Sequence, residues 1–358
     1  MDFDKNQNDF PSELHAYIWN LGIHVLPLDL TLPQEVRNGL PLYLVKSCEQ
    51  MQKYLLYLLG DIYENLKMYM PLPNQEHDIT NKILRPFIDF CLLGVAEEEA
   101  LIIDRFAFDK LIKKLKNSKA FADDRKYRVS IEQRLKILER TGLKFDYNGN
   151  KVILTSAHYP NMFYAMYEMS KVVSDEKAAG DNSFTYCDFR KLCKSYKYDK
   201  YENALVFLSD DQVKIAKELD VIANKYKFTR SIKTGHCAGY EIIYKYKKMK
   251  IIFLNCLRNK IKLSIQIPYD KNDLSSIESF FESIEKDSIE LKKYVKKRIK
   301  RCRLCSGNRN CAYTMKIYGN TNKLCFHWAS VIRIETEVLL DEIVFIEKIL
   351  LYIIKDTI

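Results

Sequence analysis

Glycine is scarce in this chain, with 11 in 358 residues. Loops that cradle phosphates need glycines so that backbone N–H groups can approach a ligand closely. The patterns G-x-x-x-x-G-K-[ST] and G-x-G-x-x-G are both absent, as are G-x-S-x-G and H-E-x-x-H. Those absences exclude the common nucleotide-binding loops, the serine-hydrolase elbow and the zinc-protease helix. The six histidines are scattered. His15 and His24 flank Tyr17, Trp19 and Leu21, His77 follows Gln75-Glu76, and His158 precedes Tyr159-Pro160. Only His236-Cys237, between Gly235 and Gly239, pairs a thiol with an imidazole locally, and adjacency in sequence does not make a catalytic dyad. No catalytic residue is assigned.

Long apolar runs are also missing. The best candidate, Ile343 to Ile354, is broken by Glu347 and Lys348 and reads as a core helix, not a membrane span. The opening Met1-Asp-Phe-Asp-Lys-Asn lacks the basic and apolar regions of a signal peptide. A cytoplasmic location without membrane contact is therefore expected. Thiols there stay reduced, so clustered cysteine points to metal or redox chemistry before disulfides.

What the chain has is charge, unevenly spread. The formal net charge is +10. Residues 225–262 hold eleven Lys or Arg against Glu241 alone, and residues 286–303 hold nine against Asp287 and Glu290. Such segments suit a polyanion. They equally suit solvated lysines on strand and helix faces. The nucleic-acid candidates in the second segment are Lys296, Lys297, Arg298, Lys300 and Arg301.

The first half reads as mainly helical. Leu55, Leu58, Leu59 and Ile62 form one apolar face within 41–70, and Pro71-Leu-Pro73 stops it. Residues 79–96 and 105–116 read as further helices. Ser130-Ile-Glu-Gln133 is a capping box that opens a helix to Arg140, and Thr141-Gly142 closes it. Two short strands follow around Asn148-Gly149, a hairpin-turn pair, and 161–173 reads as a helix. Helix, helix, hairpin is the order of a winged helix, here spanning 105–173. Arg134, Lys136 and Arg140 are then the exposed basic residues of its recognition helix. The alternative is an ordinary α+β packing unit with no groove contact.

A polar, Gly-containing break at 174–183 divides a domain at 1–175 from one at 184–358. In the second, Ser209-Asp-Asp211 opens a helix whose face is Val213, Ala216, Leu219, Ile222 and Ala223. Strands follow at Tyr240–Tyr246, Lys250–Leu257 and Lys260–Pro268, with turns at Lys247-Lys248 and Arg258-Asn259. In the last, Ile261, Leu263, Ile265 and Ile267 alternate with Lys260, Lys262, Ser264 and Gln266. This predicts an antiparallel meander with one wet, basic face. Helices are expected at 273–299 and 336–355.

Between those helices lie Cys302-Arg-Leu-Cys305, Cys311, Cys325 and His327. Zinc takes four soft, deprotonated ligands in a tetrahedron. The C-x-x-C turn supplies two. A hairpin over 312–326, turning at Gly319-Asn320, would return Cys325 to meet Cys302, Cys305 and Cys311. His327 is an alternative or supporting ligand, and Arg301, Arg303 and Arg309 would favour the thiolates. A closed four-thiolate site is structural and would brace a small subdomain over 300–330. Iron is not excluded by this spacing. Cys48, Cys91, Cys187, Cys193, Cys237 and Cys256 read as buried thiols.

Arg134-Leu-Lys-Ile-Leu-Glu-Arg-Thr-Gly-Leu143 with Thr155-Ser and Tyr159-Pro-Asn-Met-Phe163 resembles a family of uncharacterised bacterial proteins found mainly in Firmicutes. The order Cys302, Cys305, Cys311, Tyr313, Gly319, Cys325 resembles the tail of the same group. Residues 210–355 resemble small YdhG- or YjbR-like α+β domains, in which a helix precedes an antiparallel meander. These resemblances imply a fold and bring no reaction. The reading is an α+β, zinc-stabilised binding or regulatory protein without enzymatic activity, with nucleic acid as its partner. Two alternatives stand beside it: a small-molecule site or enzyme cavity near Gly235 to Tyr240, and an interaction scaffold pairing through helix 337–354.

Overall fold

A computed structural model describes His15, Ile18 and residues 28–65, 87–117, 131–174, 188–234, 239–257, 260–268, 275–298, 312–317, 320–325, 331–335 and 340–356. The class is α+β, with helices joined to antiparallel sheets of four, two and five strands among the described residues. Two compact units form, Met1–Lys197 and Tyr198–Gly235 with Gly239–Ile358. The division falls later than the break expected at 174–183. Residues 188–192 explain this, because they pack against the helix Met162–Ser174 of the first unit. There Phe189 is fully buried, and the buried Arg190 donates to Asp188 at 2.6 Å.

In the first unit, α1 (Leu42–Glu64) is the central element. Leu44, Cys48, Met51, Leu55, Leu58 and Ile62 recur every three or four residues and are all buried. They meet α5 (Met162–Ser174). The start of α5 is held by side chains from α1. The Ser47 hydroxyl donates to the Asn161 carbonyl and accepts the Ala165 N–H at 2.7 Å. Gln50 accepts the Asn161 N–H at 2.7 Å. Orphan donors of a helix start are thus satisfied from a neighbouring helix.

The helix expected over 79–96 is shorter among the described residues. Helix α2 covers 87–93, and β1 (Val95–Glu97) begins directly after Gly94. A Cβ on Gly94 would sit 2.9 Å from the Leu101 and Ile103 side chains, so only glycine lets the chain turn there onto the next strand. Next come β2 (Ala100–Asp104), α3 (Arg105–Asn117), α4 (Ile131–Arg140), β3 (Leu143–Asn148) and β4 (Lys151–Ser156). The strand order is β1-β2-β4-β3, antiparallel throughout. Asn148 pairs with Lys151, so the turn residues are Gly149 and Asn150, one position later than expected. Only Gly149 needs a positive φ, 58°. Phe90, Phe108 and Phe145 meet ring to ring with centroids 5.1–6.3 Å apart and tie α2, α3 and β3 together.

The second unit carries the five-stranded sheet, in the order β11-β8-β7-β6-β5. Its strands are β5 (Thr229–Thr234), β6 (Tyr240–Tyr246), β7 (Met249–Leu257), β8 (Lys260–Gln266) and β11 (Val331–Glu335). The expected meander is its middle. The edge strand β5, Thr-Arg-Ser-Ile-Lys-Thr, lacks the alternation that marks β8. On one face Tyr240, Ile242, Tyr244, Ile252, Leu254, Cys256, Ile261, Leu263 and Ile265 are all buried. That face packs with α7 (Asp210–Lys225), α8 (Ser275–Lys286), α9 (Ile289–Arg298) and α10 (Ile343–Asp356) in one core. The short helix α6 (Tyr201–Leu205) precedes them. Ser209 is the N-cap of α7 as expected, and it forms a capping box with Gln212. The capping box expected at Ser130 and Gln133 lies outside the described residues.

The opposite face departs from expectation. Ile243 is buried, while Phe253, Lys262, Ser264 and Gln266 are only half-exposed. Lys233 pairs with Glu241 at 2.6 Å on the neighbouring strand. This face is mixed and partly covered, neither wet nor uniformly basic. The separate hairpin of β9 (Ala312–Ile317) and β10 (Asn320–Cys325) is present, with Cys325 opposite Ala312.

Candidate nucleic-acid interface

Helix α4 places its three basic candidates in three different environments. Arg134 is 4% exposed. It lies three residues after Ile131 and four before Leu138, both buried, so helical spacing turns it into the packing face. Its expected exposure is corrected accordingly. Lys136 faces solvent. Arg140 bonds to the Asp61 carboxylate on α1. Glu132 at the start of α4 takes Lys116 from α3 as an ion-pair partner. Glu132 and Arg140 are therefore met by charges from within the protein.

On α9, Lys296 and Lys297 are exposed, and Lys293 joins them at three- and four-residue spacing. Arg298 is instead bonded to Glu342 and stacked over the Tyr294 ring, 3.8 Å from its centroid. Lys300 and Arg301 lie outside the described residues, as do Cys302, Cys305, Cys311 and His327. Among the described residues no group of three or more His, Cys, Asp or Glu could hold a metal ion. Cys48, Cys91, Cys193 and Cys256 are free and buried, as expected. Burial pushes the thiols of Cys48 and Cys91 up, and that of Cys256 to about 12, so these three stay protonated and unreactive.

Two groups of cations stand out within the basic segment 225–262. Three of its cations have carboxylate partners. Lys225 bonds Glu347 at 2.7 Å, Lys233 bonds Glu241, and Arg230 bonds Asp220 at 2.6 Å. Asp220 also accepts the Tyr244 hydroxyl at 3.0 Å, and Arg230 lies 4.1 Å from the Tyr201 ring centroid. Burial, together with the Asp220 charge, pushes the Tyr201 and Tyr244 phenols well above their usual range. This cluster ties α6, α7, β5 and β6 together as a structural knot.

Lys227, Lys245, Lys247, Lys248 and Lys250 form the second group. Among the described residues no carboxylate makes an ion pair with any of them. Lys247 and Lys248 are the two residues of the β6–β7 turn, with φ of 45° and 69°. Lys227 has φ of 61° just after α7. Its N–H bonds the Asn224 carbonyl at 3.0 Å while the Phe228 N–H bonds Ala223 at 2.9 Å. That is the glycine-favouring C-terminal helix motif, built here with lysine. Thr229 pairs with Lys245, and the Phe228 and Tyr246 rings lie 5.3 Å apart, so Lys227 stands at the same end of the sheet as the turn. Left-handed backbone costs a residue with a Cβ on the order of 1–3 kcal/mol. The sequence marks this site only as Lys247-Lys248 between two alternating strands. The positive φ of Lys227 has no sequence signal.

No family model, curated protein or solved structure matches this chain. Among the described residues no helix is long and apolar enough to cross a membrane.

Proposed function

We propose that this chain is a zinc-stabilised nucleic-acid-binding protein without catalytic activity, and that its phosphate contacts centre on the basic end of the five-stranded sheet. The observation that carries the reading is the sorting of charge within 225–262. Lys225, Arg230 and Lys233 are met by internal carboxylates, while Lys227, Lys245, Lys247, Lys248 and Lys250 gather at one end of the sheet. Clustered cations without internal partners release counterions from a polyanion on binding. The exposed Lys293, Lys296 and Lys297 of α9 add a second basic surface on the same unit.

The winged-helix reading of the first unit draws support from its connectivity. Two helices, α3 and α4, lie between β2 and β3, and β4 returns between those strands to give the order β2-β4-β3. A helix pair joined to strands in this order suits groove contact through α4, with Lys136 as its exposed cation. Arg134 and Arg140 serve the fold instead.

Zinc binding draws support from the register of the β9–β10 hairpin. Cys325 lies opposite Ala312, so Cys311 is the next residue beyond the open end of the ladder. In this reading Cys325 and Cys311 would supply two of the four ligands, and Cys302 and Cys305 would complete a tetrahedron. The ion would brace the chain between α9 and α10.

A gel-shift titration with mixed-sequence duplex and single-stranded probes tests the function. Retardation at low salt that fades as salt rises is expected. Probes left unshifted at low salt would remove the reading. Elemental analysis of the purified chain should find one zinc per molecule.

A further inference from the structure

We infer that the Lys247–Lys248 turn, with Lys227 beside it, is a dedicated phosphate-gripping element, and that it takes a phosphodiester backbone without regard to base sequence. The inference deepens the nucleic-acid reading and rests on it. Among the described residues four non-glycine positions have positive φ: Glu98, Lys227, Lys247 and Lys248. Three are lysines, and all three stand at one end of the five-stranded sheet. Two-residue hairpin turns with positive φ at both positions favour Asn-Gly or Gly-Gly, and the residue just past a helix favours Gly. Lysine has no conformational reason to occupy any of these places. Strained backbone that persists at one locus points to a use for the side chains it carries.

The chemistry of that use is phosphate rather than base recognition. The neighbouring aromatic rings are already engaged: Phe228 is 5% exposed and packs against Tyr246 with centroids 5.3 Å apart. Phe228 therefore offers no open face for base stacking, which sequence-tolerant single-strand binders use. Lys247 and Lys248 are exposed, and both lack a carboxylate partner among the described residues. Ammonium groups on flexible stems act as point charges toward phosphate, and such contacts carry no sequence information.

The test is the double substitution K247N/K248G, which installs the residues this turn favours. It should melt at the same temperature as the parent chain or higher, so a loss of binding would not reflect misfolding. A charge-matched control, K214Q/K217Q, removes two exposed lysines from α7. Anisotropy titrations of labelled mixed-sequence 20-mers over a salt series supply the readout. K247N/K248G should lower the slope of log affinity against log salt by about 2 and weaken all sequences alike. The control should keep the parental slope. Binding by the parent chain with an unchanged slope in K247N/K248G would overturn the role of the turn alone. No binding by the parent chain would overturn the nucleic-acid reading itself. Tighter binding to phosphatidylserine vesicles than to the 20-mers, lost in K247N/K248G, would overturn the assignment to phosphodiester.

Discussion

Arg140, at the last turn of α4, bonds to the carboxylate of Asp61 on α1. One of the three cations that would have faced a groove thereby joins two helices of the first unit. Replacing Arg140 with alanine should lower stability by about 0.5–1 kcal/mol, the range of a partly exposed pair. Nucleic-acid affinity and its salt slope should stay unchanged. A matched melt and binding titration of R140A checks both halves. A normal melt with weakened binding would return Arg140 to the interface.

Ser47 offers a sharper test of how the first unit is held. Its hydroxyl takes the Ala165 N–H at the start of α5, 118 residues away in sequence. Alanine there leaves a buried donor without its acceptor, which costs about 1–3 kcal/mol. Chemical denaturation of S47A should show that loss with little change in the denaturant slope. Stability equal to the parent would mean that water replaces the hydroxyl.

The second unit was more legible in the sequence than the first, for physical reasons. The alternation of Ile261, Leu263 and Ile265 with Lys262 and Ser264 is a local signal, and burial follows it residue by residue. The N-cap signal of Ser209-Asp-Asp211 is equally local. Strand β5, Thr-Arg-Ser-Ile-Lys-Thr, has one apolar residue and exists because β6 offers it an edge. Arg134 misled because its charge reads as exposure, whereas its spacing from Ile131 and Leu138 reads as core. The capping of α5 by Ser47 is invisible locally, since partner and helix are distant in the chain. The lysine turn itself was legible, but not the choice of which lysines keep their charge free, because the partners Asp220 and Glu347 come from elsewhere.

Acid should loosen the C-terminal helix. Asp287 accepts hydrogen bonds from Lys348 at 2.8 Å and Tyr352 at 2.7 Å on α10, and these hold its carboxyl down at about 2. Glu347 is likewise lowered, through Lys225 and Tyr226. A carboxyl depressed in the folded state contributes stability above its unfolded pKa, near 4, and loses that contribution as pH falls toward 2. The stability difference between the parent and D287N should thus be full at pH 6 and shrink between about pH 4 and pH 2. A difference that stays constant over that range would show that the Asp287 bonds do not depend on its charge.

Removing the proposed zinc should act on stability before function. A chelator-treated chain is expected to melt earlier, and added zinc should restore the parental melt. Cys325→Ser should melt early from the outset and respond less to the chelator. An unaltered melt after verified metal removal would dismiss a structural ion.

The salt dependence of nucleic-acid binding by the unmodified chain is the most direct measurement of this function. The five lysines at this end of the sheet, Lys227, Lys245, Lys247, Lys248 and Lys250, make no ion pair among the described residues, and together they set a slope of roughly −4 to −5 for log affinity against log salt on duplex DNA. A slope near that value, equal for unrelated sequences, is the predicted result. Affinity that does not change with salt, or no affinity at low salt, would contradict it.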